Sequence, residues 1–147
     1  MIFLASDHAG YDLKLALAEK LKSVTSSLEV LGCHSKASCD YPDFASELTE
    51  HLLKSPESLG VLICGSGVGM SIAANKIRGV RAAHASDPLT AELARQHNHA
   101  NVLCLGARFL SADQAWACLQ AFLNAKPDED PRHLRRVSKI SELEGRG

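Results

Sequence analysis

The sequence predicts an α/β protein: a three-layer αβα sandwich on a Rossmann-like, five-stranded parallel sheet. Three observations predict it. Five short apolar runs punctuate the 147 residues, each bounded by glycine, proline or polar residues. Between them lie longer stretches whose apolar residues recur at helical spacing. Runs this short, alternating with helices, imply right-handed βαβ units and a sheet covered on both faces.

Taken in order, Ile2 to Ala5 reads as the first strand, followed by a helix with Leu13, Leu15, Leu17 and Leu21 in its apolar positions. Leu28 to Leu31 is the second strand. Pro42 opens a helix carrying Phe44, Ala45, Leu48, Leu52 and Leu53 close to the 3.6-residue period. Val61 to Cys64 is the third strand, and the helix after the glycine loop ends near Gly79. Val80 to Ala83 is the fourth strand, and Asp87-Pro88 starts the next helix. Val102 to Leu105 is the fifth strand, and Ser111 to Asn124 the fifth helix.

The tail, "AKPDEDPRHLRRVSKISELEGRG", differs from the body. Two prolines and an acidic cluster precede Arg132, Arg135, Arg136 and Lys139 on one short helix, which alone reads as a solvated terminal helix. No repeat, linker or low-complexity segment supports a second domain. Residues 1–147 are therefore expected to form one domain, with a tail from about residue 126.

Composition excludes several classes. Hydrophobic content of 46% and charged content of 22% are ordinary for a soluble globular chain. A net charge of −1 makes no electrostatic case for nucleic acid or an acidic membrane surface as partner. The start "MIFLASDHAG" is apolar for too few residues to be a signal peptide or span, and it lacks a basic leader. The cysteines, Cys33, Cys39, Cys64, Cys104 and Cys118, are odd in number and form no C-x-x-C pair. Free thiols in a reducing cytoplasm are the simplest reading.

The most informative stretch is "LGVLICGSGVGMSIAANK", where a strand ends at a cysteine and a loop of alternating glycines opens a helix. The backbone N–H groups of such a loop favour an anionic oxygen. Three familiar phosphate loops fail here. A Walker A loop needs a lysine after its last glycine, and Met70 stands there. A dinucleotide fingerprint needs another spacing than Gly65, Gly67, Gly69. A cysteine-phosphatase loop needs arginine at position 70. Cys64 is then either a small hydrophobe filling a strand end or a thiolate stabilised by the loop, able to act as nucleophile or proton acceptor.

His8 follows Asp7 after the first strand, and His97-Asn98-His99 sits before the fifth. The pairs Cys33-His34 and Cys39-Asp40 match no standard zinc spacing, so no metal is expected. Arg108 and the pair Arg132 and Arg136, one helical turn apart, are candidate phosphate ligands. A thiol, an anion-binding loop, imidazoles and arginines together suit proton transfer on a small phosphorylated substrate. A phosphate- or nucleotide-binding regulatory module is the non-enzymatic alternative, but pure binding needs no titratable thiol at the loop mouth.

The stretches "SDHAGYDLK", "DYPDFA", "ICGSGVGMSIAANK", "GVRAA", "ARQHNHANVLCLGAR" and "RHLRRV" run in order through the chain. In these the sequence resembles the type B ribose-5-phosphate isomerases, within a family that also holds galactose-6-phosphate isomerase. The resemblance implies interconversion of ribose 5-phosphate and ribulose 5-phosphate through an enediol, a step of the non-oxidative pentose phosphate pathway, without metal or organic cofactor. It implies Cys64 as base, Ser66 with the N–H groups of Gly65, Gly67, Val68 and Gly69 around the developing oxyanion, and His97 as ring opener with His133 as second candidate. It also implies substrate contacts from Asp7, His8, Tyr41 and Asn98, and phosphate contacts from Arg108, Arg132 and Arg136. One branch of the family carries a glutamate base where this chain has Met70, which favours the cysteine branch. A six-carbon sugar phosphate is the alternative substrate. The resemblance further implies a homodimer, or a dimer of dimers, with active sites between subunits and the tail reaching a neighbour.

Overall fold

The computed structural model describes residues 1–145, so the last two residues of the expected domain and tail lie outside the described residues. The elements run β1 (Ile2–Ser6), α1 (Tyr11–Lys22), β2 (Leu28–Val30), α2 (Tyr41–Leu53), β3 (Leu59–Cys64), α3 (Val68–Ala74), β4 (Ala82–His84), α4 (Pro88–Asn98), β5 (Val102–Gly106), α5 (Ala112–Asn124) and α6 (Pro131–Glu144). All strand pairs are parallel, in the order β2-β1-β3-β5-β4. This is the predicted sandwich. From β1 the chain builds outward to β2 and then returns to place β3 on the other side. The loops after β1 and β3 therefore diverge, and a crevice opens at the carboxyl edge between them.

Alternation along the strands builds a core on each face. Leu4, Val61, Ile63, Leu103 and Leu105 pack with Leu17 of α1, Ala91 of α4 and Phe122 of α5. Their neighbours Phe3, Ala5, Leu62, Cys64, Val102 and Cys104 pack with Leu48 of α2 and Met70 of α3. Cys64 thus ends a strand on the α2/α3 face.

The structure corrects several local expectations. Leu15 and Leu53 are exposed, at 46% and 47%, because each lies off the face that its helix buries. In α1 that face includes Lys14 beside Leu13, Leu17 and Leu21. The third helix stops at Ala74, short of Gly79, and β4 begins at Ala82 instead of Val80. Asn75 accounts for both: its side chain accepts from the N–H of Ala82 at 2.8 Å and donates to the Ala82 carbonyl at 2.9 Å. The tail helix is longer than expected and largely solvated, as expected, but it is anchored to the body. Helix α6 spans 14 residues and packs on α4, His133 is buried, and Glu144 bonds to Arg78 and Gly79. Among the described residues no helix is long and apolar enough to cross a membrane.

Candidate active site

The crevice at the β1/β3 switch is a cleft of about 470 Å³ lined by Asp7, His8, Tyr41, Cys64, Ser66 and Arg108, among others. That volume suits a small organic ligand. Asp7 is buried, and its carboxylate accepts the N–H of Gly10 at 3.0 Å, which ties it to the start of α1. His8 is fixed from outside the cleft, its Nδ1 3.3 Å from the N–H of Cys39.

The loop after β3 is shaped around the thiol. Cys64 is 4% exposed, and the N–H of Gly67 donates to its Sγ at 3.1 Å. A backbone donor aimed at sulfur is an interaction that strengthens when the sulfur is anionic. Gly67 holds φ +80°, the left-handed region, and a Cβ there would meet His84 at 2.7 Å. Only glycine fits both demands. Gly65 lies against the Arg108 guanidinium and Gly69 against the Tyr41 ring, each leaving 2.7 Å to a built Cβ. The Ser66 hydroxyl accepts the N–H of Val68 at 3.2 Å, leaving its own proton free to donate. Gly67 spends its N–H on sulfur, which takes one donor away from the expected oxyanion set.

The remaining candidates gather elsewhere. The rings of His97 and His133 stack with centroids 4.2 Å apart and planes 9° from parallel. Asp128 Oδ2 stands 3.9 Å from His133 Nε2. Asn98 lines a separate hollow of about 520 Å³ with Arg81, Ile140 and Leu143, and Arg132 and Arg136 are exposed on α6. This group sits at the amino edge of the sheet, where the Asn101 carbonyl accepts the N–H of Gly60 at 2.9 Å. Gly60 to Cys64 along β3 spans roughly 13 Å. Within one chain, then, the thiol cleft and the His97 group are held at opposite edges. His97, His133 and Asp128 have ligating atoms within 4.8 Å of one another. The parallel rings, however, send their in-plane lone pairs past each other, which does not suit a shared metal ion.

The ribose/galactose isomerase family matches residues 2–140. A probable ribose-5-phosphate isomerase B of Mycoplasma genitalium is 46% identical, covering 97% of this chain and 95% of its own length. The chain belongs to the ribose/galactose isomerase family. Another member, ribose-5-phosphate isomerase B of Escherichia coli, is 40% identical over 99% of this chain and 97% of its own. The crystal structure of the Mycoplasma genitalium protein with bound ribulose-5-phosphate superposes with a TM-score of 0.93 at 44% identity, covering 99% and 97% of the two chains.

Three residues escaped the sequence reading of this family member. Lys14 is 1% exposed, donating from Nζ to the carbonyls of Leu31 (2.9 Å) and Cys33, and burial pushes its pKa down. Arg81 reaches the Asn98 and His99 carbonyls at 3.1 and 3.0 Å and closes the end of α4. Asp128 ties the tail to that same turn. Lys14 sits one residue from a leucine of the buried face, a place where helical periodicity flags it as anomalous only once the face is known. Cys104 illustrates the bland alternative for Cys64: it is fully buried, and desolvation pushes its pKa far up.

Proposed function

We propose that this chain is an aldose–ketose isomerase that interconverts ribose 5-phosphate and ribulose 5-phosphate, with Cys64 as the base. The observation that carries the reading is the Cys64 sulfur at the carboxyl end of β3, lining the cleft and taking a backbone N–H at 3.1 Å. The names of the relatives supply the substrate. As a thiolate, Cys64 takes the proton from C2 of the open-chain aldose, giving an enediol, and the thiol returns it to C1 as the second oxygen becomes a carbonyl. The Ser66 hydroxyl and loop N–H groups meet the charge that develops on the oxygen. Asp7, His8 and Tyr41 orient the hydroxyls, and the step needs neither metal nor redox cofactor.

The working unit is a homodimer or a dimer of dimers, with His97, Asn98, Arg132, His133 and Arg136 of one chain completing the cleft of another. The reason is charge and separation: the cleft's own lining holds Arg108, while the arginine pair that suits a phosphate dianion lies at the far edge of the same chain. Val68, Ile72 and Phe109, exposed at 47%, 57% and 73% beside the cleft, offer an apolar rim for such a neighbour. His97 then opens the ring before the thiol acts. Free cysteines fit a reducing cytoplasm and the non-oxidative pentose phosphate pathway.

Cys64→Ala tests the base. Turnover of ribose 5-phosphate and exchange of its C2 proton with solvent should both fall by about 10²- to 10⁴-fold, with the circular dichroism spectrum unchanged. More than about a tenth of normal activity would overturn the role of the thiol.

A further inference from the structure

The segment between α5 and α6 carries an acidic residue, Asp128, that has no part in the proposed function. Asp128 stands where the tail crosses the end of α4. Its N–H donates to the Gln96 carbonyl at 2.8 Å, and its carbonyl lies 2.8 Å from Nε2 of His99. One carboxylate oxygen accepts the N–H of Asp130 at 2.8 Å, and the other faces His133 Nε2 at 3.9 Å. That nitrogen is buried and makes no hydrogen bond, in a side chain 7% exposed. Burying an imidazole nitrogen without a partner is costly, and the Asp128 carboxylate, at 3.9 Å too far for a hydrogen bond, is an acidic group that faces it. The His133 ring lies flat against His97 with centroids 4.2 Å apart, so a change in the plane of one ring alters the packing of the other.

We propose that Asp128 is a positioning residue for ring opening: its carboxylate, 3.9 Å from Nε2 and not hydrogen-bonded to it, electrostatically favours the His133 tautomer with the proton on that nitrogen, in the ring that backs His97. An imidazole's tautomer is set by the partner that its other nitrogen finds, and an acceptor facing Nε2 leaves Nδ1 as the lone-pair nitrogen. Asp128 also braces the turn that carries His97, through Gln96 one residue before it and His99 two residues after. Asp130, at the start of α6, feels the charges of Arg132, His133 and Arg135, and the His97 ring faces His133 from the end of α4. The carboxylate of Asp128 is thus one charge in a mixed set, and its distinct contribution is direction. The proposal rests on the reading of His97 as ring opener.

The experiment compares Asp128→Asn, Asp128→Glu and His97→Asn in the full chain with two assays and one spectrum. Turnover of ribose 5-phosphate requires ring opening. Exchange of the C1 proton of ribulose 5-phosphate into deuterated water requires only the enediol step, since that ketose is open. Nitrogen-15 shifts of His133 report which ring nitrogen carries the proton. Asp128→Asn should lower kcat on ribose 5-phosphate about tenfold with KM within twofold, spare C1 exchange, and move His133 from the Nε2–H tautomer to a mixture. Asp128→Glu should restore most of both signals. Equal loss in the two assays would overturn the proposal, because a merely structural brace or phosphate site serves both reactions alike. An unchanged His133 spectrum would overturn it too. If His97→Asn itself leaves ribose 5-phosphate turnover intact, the underlying reading fails, and that failure is recognised separately from the Asp128 tautomer result.

Discussion

At the scale of single residues, the proposed function divides the chemistry between the sulfur of Cys64 and the ring of His97. His97→Asn should slow ribose 5-phosphate turnover by at least about tenfold while sparing C1 exchange in ribulose 5-phosphate; parallel loss of both would transfer the ring-opening role to His133. Lys14 makes a different kind of contribution. Its ammonium is buried among carbonyls at the end of β2, where water cannot replace it. Lys14→Met leaves the Leu31 and Cys33 carbonyls unpaired, at a cost of about 2 kcal/mol. Scanning calorimetry should show Tm lower by about 4–8 °C. An unchanged Tm would mean that these carbonyls find other donors.

At the scale of elements, the starts of α4, α5 and α6 are capped by side chains that meet free N–H groups. Ser111 and Gln114 form a reciprocal capping box on α5. Asp87 caps α4 more strongly, accepting the N–H and the hydroxyl of Thr90 at 2.8 and 2.7 Å. Those bonds, the N–H first, hold its carboxyl below the ordinary value of 3.8. A depressed carboxyl contributes fully above the unfolded value and loses its contribution as pH falls through the folded one. Asp87→Asn keeps an acceptor oxygen without a proton to gain. Urea midpoints measured at neutrality and at about pH 3 should therefore differ less in Asp87→Asn than in the parent. Equal acid losses in the two proteins would refute the assignment. The pattern of elements was legible because both hydrophobic periods are local, while β4 slipped by two residues because Asn75 claims Ala82 across the turn.

At the scale of the whole molecule, the candidate residues fall at two edges of one sheet, the thiol cleft at one and the His97 group at the other. If two chains share each site, a Cys64→Ala chain and a His97→Asn chain are each strongly impaired alone, but together they form heterodimers. Each heterodimer pairs one intact Cys64 cleft with one intact His97 group. Co-expressed in equal amounts, the two should recover roughly a quarter of the parental activity under random two-fold pairing. No recovery, with heterodimers demonstrated by mass spectrometry, would place the complete site within one chain.

The sequence by itself determined the layered α/β fold, because the strand and helix periods are local, and motifs spread along the whole chain carried the resemblance to the family; for Cys64 local spacing left a buried hydrophobe and a thiolate both open. It also supplied the identities of His97, Arg132 and His133, but not their company. Only the tertiary structure decided that Lys14 is buried, that His97 and His133 stack, and that both stand at the opposite edge from the thiol. The physical reason is that strand direction and helix packing, which no local period encodes, fix which distant residues meet. A parallel sheet sends the loop after β3 to one edge and the end of α4 to the other.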